Sequence, residues 1–195
     1  MRPFVICGCV TAALVALTVA GLGQTQGVNK SKLMSKNAKS PPMEASVTIG
    51  GKQIWIVYHA PSVRGRKIFG GADALQPDDT TWRLGADQAT VMHTDADLDF
   101  NGVSVPAGDY SLYIALDKGN WQLIINKQTG QWGIKMGGAS TDDPAQDVGR
   151  VPLAMSKPSA PVEQLKIGLS GTGSSKGKLD IAWENVAASS PFTVK

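Results

Sequence analysis

Two arginine-bearing stretches hold the residue types best suited to chemistry. Positions 63–71 read VRGRKIFGG and positions 82–90 read WRLGADQAT. Arginine presents a planar fork of N–H donors that matches a carboxylate or phosphate, and neighbouring glycines let the backbone come close to a bound group. Paired in this way, with Trp82 as an apolar wall, the motifs suit a pocket for an anion or a sugar acid. Arg66 and Arg83 are its candidate anchors, with Tyr58, Trp82 and Asn126 as the other candidate ligand-binding residues, while Arg64 and Lys67 read as solvated. The same residues also suit a staple, in which the guanidiniums bond backbone carbonyls or Asp87 and the rings of Phe69 and Trp82 fill core.

A second constellation is HTDADLDFNG at positions 93–102, which sets His93, Asp95, Asp97 and Asp99 at alternate positions. Read from Asp97 it imitates the start of a calcium loop, yet the twelfth place, where a bidentate glutamate is needed, is Gly108. One face of a strand running into an Asn-Gly hairpin shows the same alternation. The chain has two histidines, His59 and His93, each at the end of an expected strand and neither in a nucleophile motif such as G-x-S-x-G. The pairs Asp78/Asp79 and Asp142/Asp143 fall in polar runs with nothing apolar to raise a carboxylate pKa. A hydrolase or metal-dependent enzyme using His93 or His59 with nearby aspartates is the competing reading. No catalytic residue, metal site or cofactor is assigned.

The elements that must position these residues are strands. Apolar segments are short, β-branched or aromatic, and bounded by Gly, Pro, Asn or Asp, and none keeps a helical period over three turns. Strands are expected over 45–49, 53–59, 89–93, 98–100, 103–105, 110–116, 121–126, 149–155, 162–169, 178–183 and 192–194. Asn101-Gly102 suits a tight type I′ hairpin, and the 110–116 strand reads as central. Of the five tryptophans, Trp55, Trp121 and Trp183 lie within strand patterns and are expected in the core. Trp132, between Gly130 and Gly133, is the one expected at the surface. The fold class is all-β, an antiparallel β-sandwich or jelly roll forming a single domain over 43–195.

Upstream of it the chain carries other signals. Met1 and Arg2 precede an almost wholly apolar run over 4–20 that ends in small residues, so 1–23 reads as a secretory signal peptide. Both cysteines, Cys7 and Cys9, lie inside it, which leaves the rest of the chain without disulfide or thiolate chemistry. Positions 24–42 read as a basic polar linker. Arg2 and the four linker lysines take five of the 19 cations and none of the 16 acids, so residues 43–195 carry 14 cations and 16 acids, a net of −2. That balance gives no broad basic face for nucleic acid.

Five ordered motifs, VYHAPSVRGRKIFGG, WRLGADQAT, VPAGDYSLYI, WQLIINKQTGQWG and LDIAWENV, resemble the bacterial exported family named domain of unknown function 2911. The resemblance runs from about position 44 to the C-terminus and implies an exported bacterial domain, with no activity attached. The chain departs from the family pattern at Asp87-Gln88, where Asn-Glu is common, and at Ile134, Lys135 and Met136, where a tyrosine is expected after WG. The expectation is therefore an exported, non-catalytic binding or structural module of the periplasm or cell envelope, taking a small anionic or sugar-like ligand in an arginine-lined pocket. Nucleic acid is not among its expected partners, and membrane contact would come only through an uncleaved leader.

Overall fold

The computed structural model describes residue 1, residues 27–34 and residues 38–195. The leader beyond Met1, with both cysteines, lies outside the described residues. Gly50 and Gly51, both at positive φ, turn β1 (Pro42–Ile49) back onto β2 (Lys52–His59) in a fully paired hairpin. With β3 (Thr81–Trp82), β4 (Thr90–Thr94), β7 (Gly108–Ala115), β8 (Gln122–Asn126) and β9 (Asp147–Pro152), these form one sheet. Its order is β1-β2-β4-β7-β8-β9, with β3 also on β7. The other sheet holds β5 (Leu98–Phe100), β6 (Val103–Val105), β10 (Ala154–Ser156), β11 (Val162–Gly171), β12 (Lys176–Glu184) and β13 (Val186–Val194). Its order is β11-β12-β13-β5-β6, with β10 also on β13. Every ladder is antiparallel, so the chain is an all-β sandwich.

Side-chain alternation builds the core between the sheets. Ile54, Ile56, Leu112, Ile114, Leu123 and Ile125 from the first sheet meet Leu98, Phe100, Leu179, Ile181 and Phe192 from the second. The hairpin at Asn101 and Gly102 has φ of 51° and 95°, as a type I′ turn requires, and pairs Phe100 with Val103. The strand holding Leu112 is central, as its sequence suggests.

The central strands of the first sheet are buried on both faces, which explains why β2 and β7 read as nearly continuous apolar runs. On the outer face, Trp55, Val57 and Val91 are covered by Leu33 of the short helix α1 (Lys30–Leu33), with Val28 and Met34 packed alongside. Farther along that face, Ser111 and Tyr113 bond the 127–146 loop: Ser111 Oγ donates to the Gln128 carbonyl and Gln131 Nε2 donates to the Tyr113 hydroxyl at 3.0 Å.

Three expectations need correction. Residues 27–34, expected inside a linker over 24–42, are docked: the Val28 N–H donates to Asp109 Oδ2 at 2.9 Å, and Lys30 pairs with Glu44 at 2.6 Å while lying over the Trp55 ring. The tract's few apolar side chains find an outer face that would otherwise expose Trp55. The expected strand over 149–155 is two strands in different sheets: the Leu153 N–H still bonds the Trp121 carbonyl in register with β8, and the next residues, Ala154–Ser156, pair with β13 of the other sheet. The last strand starts at Val186 rather than 192, since Ala187, Ala188, Ser189 and Ser190, poor strand formers alone, are held by full pairing with β12.

Sheet packing is tight at Gly177, which faces Phe192 across the ladder. A Cβ there would stand 2.3 Å and 2.6 Å from the Phe192 ring and 2.9 Å from Ile49 Cδ1. Gly177→Ala is expected to destabilise the domain by about 1–3 kcal/mol through overpacking. Urea titration would read this as a lower midpoint with an unchanged slope.

Candidate ligand-binding cleft

The cleft begins where the first sheet is interrupted. β3 and β4 follow one another along the same side of β7, Trp82 opposite Ile114 and Thr90 opposite Leu112. Between them residues 83–89 leave the sheet, carrying Arg83 and Asp87. This excursion is fixed by Ala86 N–H to the His59 carbonyl (3.0 Å), Thr90 Oγ1 to the Leu84 carbonyl (2.7 Å) and Trp82 Nε1 to the Gly85 carbonyl (3.2 Å). The Ser40 N–H donates to Asp87 Oδ2 at 2.9 Å, which ties the chain before β1 to the same loop. Leu84 and Asp87 hold φ of 52° and 57°, the left-handed region that side chains disfavour.

A second wall is the 60–77 loop. Val63 N–H bonds the Glu163 carbonyl at 2.7 Å and Leu165 N–H bonds the Pro61 carbonyl at 3.0 Å, so the loop joins the end of the first sheet to β11. Ile68 and Phe69 anchor it. Ile68 is fully buried, and the Phe69 ring meets Trp82, Trp121 and Trp183 at centroid distances of 5.5, 4.7 and 5.7 Å. A third wall is a tight hairpin over 133–141, closed by Lys135 N–H to the Ala139 carbonyl (2.7 Å) and Thr141 N–H to the Gly133 carbonyl (3.1 Å).

These walls bound a cavity of about 980 Å³ floored by Trp82 and Trp183, which stack at 5.6 Å. Lys39, Arg64, Arg66 and Arg83 line it against one carboxylate, Asp87. Neither Arg66 nor Arg83 ion-pairs with a described carboxylate. Arg66 is exposed and donates from Nε to the Val63 carbonyl (3.0 Å) and from Nη2 to the Ser62 carbonyl (2.6 Å). Arg83 donates from Nη1 to the Trp132 carbonyl (3.0 Å), with its guanidinium 5.6 Å from the centre of the Trp132 ring. Both arginines are thus oriented by carbonyls while retaining donors out of their five N–H groups. Burial pulls the Arg83 guanidinium below its ordinary pKa, an effect opposed by the nearby Asp87 and Tyr113. An anion in the cleft would relieve the same cost.

Of the five candidate residues, Arg66, Arg83 and Trp82 line this cavity, and Tyr58 and Asn126 do not. The Tyr58 hydroxyl accepts the Ile167 N–H at 3.0 Å, tying the two sheets together, and burial raises its pKa against that bond. Asn126 is fully buried: Nδ2 donates to the Asp143 carbonyl and Asp147 Oδ1, and Oδ1 accepts the Gln128 N–H, which holds both ends of the 127–146 loop. Residues outside the expected set also contribute, among them Lys39, Ser40, Gln76, Ile134 and Ser140. Gly137 and Gly138, both at positive φ, are a turn signal, but nothing in the sequence places that turn beside Arg83.

Neither histidine lines the cavity. His93 lies toward the outer face of the first sheet, stacked on Trp55 at 5.1 Å, with Nδ1 2.7 Å from Asp109 and Nε2 3.0 Å from Asp95. Asp97 and Asp99 are used elsewhere, accepting the Ala107 and Gly102 N–H groups. Among the described residues no three His, Cys, Asp or Glu side chains form a group able to hold a metal ion.

Fold and site together define a two-sheet sandwich with a cationic cleft at one end. The chain belongs to the family described as "Protein of unknown function (DUF2911)", whose model matches residues 40–192 and so takes in all three walls except Lys39. Neither a curated protein nor a solved structure matches it.

Two predictions follow from this geometry. Gly133 has φ of 95°, and a Cβ there would stand 2.8 Å from Arg83 Cδ and 2.9 Å from Arg83 Cβ. Gly133→Ala is expected to cost about 1–3 kcal/mol by overpacking, and less in an Arg83→Ala background, where one clash is gone; a double-mutant cycle in urea reads the coupling. For His93, burial lowers the pKa, but the bonds and charges of Asp109 and Asp95 outweigh it and the net value is raised above 6.5. The charged imidazole therefore contributes stability that is full below pH 6.5 and is lost as pH rises through the raised folded value. The stability gap between wild type and His93→Gln, measured from pH 6 upward, is expected to shrink with rising pH; a constant gap would contradict the ion-pair assignment.

Proposed function

We propose that this protein is an exported, non-catalytic binding module of the periplasm or cell envelope that takes a small organic anion in the cleft. The apolar leader supports export. One observation supports the ligand class: Arg64, Arg66 and Arg83, from residues 43–195 with their net charge of −2, are joined by Lys39 around a single cavity that holds one carboxylate, Asp87. The charge is gathered, not general. Asp87 offsets part of it at Arg83 without forming an ion pair, while its Oδ2 accepts the Ser40 N–H. Arg83, part-buried and without an ion partner, carries a desolvation cost that a bound acceptor would reduce.

Two further features favour binding over a purely architectural role. Trp183, 1% exposed, floors the cavity, and its indole N–H meets no acceptor among the described residues, where a buried indole usually finds one. Five non-glycine residues at positive φ, Arg64, Asp79, Leu84, Asp87 and Glu184, lie on or beside cavity-lining segments; the sixth, Asn101, belongs to a hairpin. Strain of this kind gathers where the surrounding fold must hold a surface in a set shape. A hydrolase built on His93 or His59 draws no such support, because neither side chain reaches the cleft.

Thermal unfolding in the presence of succinate, citrate or butyl phosphate tests the reading. At an anion concentration of 100 times its Kd the expected gain is about 2.7 kcal/mol, diminishing with added salt, whereas butanol gives none. Arg66→Gln and Arg83→Gln are each expected to weaken binding by roughly tenfold or more, the worth of a charge-assisted hydrogen bond. If no organic anion shifts the transition, or if both variants bind as well as wild type, the cleft is not an anion site.

A further inference from the structure

The cleft has a second chemical character, at its mouth. Among the described residues after Met1, five large apolar side chains are exposed: Met43, Leu75, Trp132, Met136 and Met155. Three of them flank this one opening. Leu75, 42% exposed, lines the cavity on the 60–77 wall. Trp132, 53% exposed, packs over Arg83 on the opposite side, and Met136, 104% exposed, stands at the tip of the hairpin whose Ile134 and Gly137 line the cavity. Single exposed apolar residues are ordinary, but Leu75 lines a charged cavity while Met136 adjoins the lining residue Gly137 and Trp132 packs on the lining residue Arg83.

Size points the same way. At about 980 Å³ the cavity is at the upper end of the range for drug-sized ligands, so a bare phosphate or acetate would leave most of it wet. The floor offers no open ring for a pyranose, because Trp82 and Trp183 are 2% and 1% exposed and stack on each other. Leu75 and Ile134, in contrast, put aliphatic surface into the lining.

We infer that the ligand is an amphiphilic anion, its acidic head between Arg66 and Arg83 and an aliphatic chain lying out across Leu75, Ile134 and Met136 toward Trp132. This rests on the anion-site reading above and adds the tail. The hairpin adds the apolar surface on its side of the mouth, with Ile134 in the lining and Met136 exposed beside Gly137.

Isothermal titration of the purified domain with inorganic phosphate, butyl phosphate and octyl phosphate, all below micelle formation, tests the tail directly. At about half the full burial value, each methylene tightens binding about twofold, so octyl phosphate is expected to bind on the order of tenfold more tightly than butyl phosphate. That ratio should fall toward one in the Leu75→Ser/Met136→Ser double variant and persist in Met155→Ser, a control at an exposed methionine away from the cleft. Equal affinity for butyl and octyl phosphate would overturn the tail while the anion site stands, and no binding of any phosphate would remove both. Tighter binding of glucuronate than of octyl phosphate would replace the amphiphile with a sugar acid. A sedimentation arm with phosphatidylglycerol vesicles separates the source: pelleting without any binding of monomeric octyl phosphate would overturn a free amphiphile in favour of a bilayer surface.

Discussion

Phe69 touches three tryptophans at once, and the cleft end of the sandwich is organised around that contact. The four rings come from four separate places: the 60–77 loop, β3, the residue before β8, and the end of β12. Edge-to-face and offset-stacked pairs each add about 0.5–1.5 kcal/mol beyond the area they bury, and they do so only at particular angles. The cluster therefore fixes orientation as well as distance. Arg83 follows Trp82 directly, Arg66 precedes Phe69 by three residues, and Glu184, next to Trp183, accepts the Ile68 N–H through Oε1. The cations inherit their positions from rings that have no polar role.

Such a floor lets the rim tolerate what the rest of the domain avoids. Elsewhere, charged side chains are paired at the surface, as in Lys178 with Asp180 or Lys195 with Asp99, where each pair contributes little. At the cleft Arg66 is bonded to carbonyls of its own loop and Arg83 to the Trp132 carbonyl of another, which orients them without cancelling their charge. Strained backbone at Leu84 and Asp87 is held by hydrogen bonds to β2 and to the chain before β1. The segment that docks through Leu33 and then delivers Lys39 and Ser40 to the cleft joins the outer face of the first sheet to the site.

Much of this was legible in the residues. Alternation and turn chemistry identified the strands on both sides of Asn101-Gly102, and the two arginine motifs were recognised as neighbours. Arginine, glycine and aromatic residues in sequence also distinguished Arg66 and Arg83 from Arg64 and Lys67 as anchors, although Arg64 lines the same cavity. What could not be read was partnership at long range. Tyr58 and Asn126 have side chains equally able to meet a ligand or a backbone group, and only the pairing of β2 with its neighbours and the path of the 127–146 loop decide that both bond protein. Lys39 looked like one more linker lysine because the docking of Leu33 on Trp55 depends on an outer sheet face, which local patterning does not reveal. The split of the 149–155 segment between sheets depends on β13, distant in sequence, which pairs with Ala154–Ser156.

The hairpin that forms the third wall closes on itself: its hydrogen bonds run from Lys135 to Ala139 and from Thr141 to Gly133, and none enters either sheet ladder. Residues 134–140 are thus uncoupled from the register that holds the sandwich together. Arg83 and its floor, by contrast, are bound to the core, so the hairpin is the part of the cleft wall that could be exchanged with least disturbance to the sandwich.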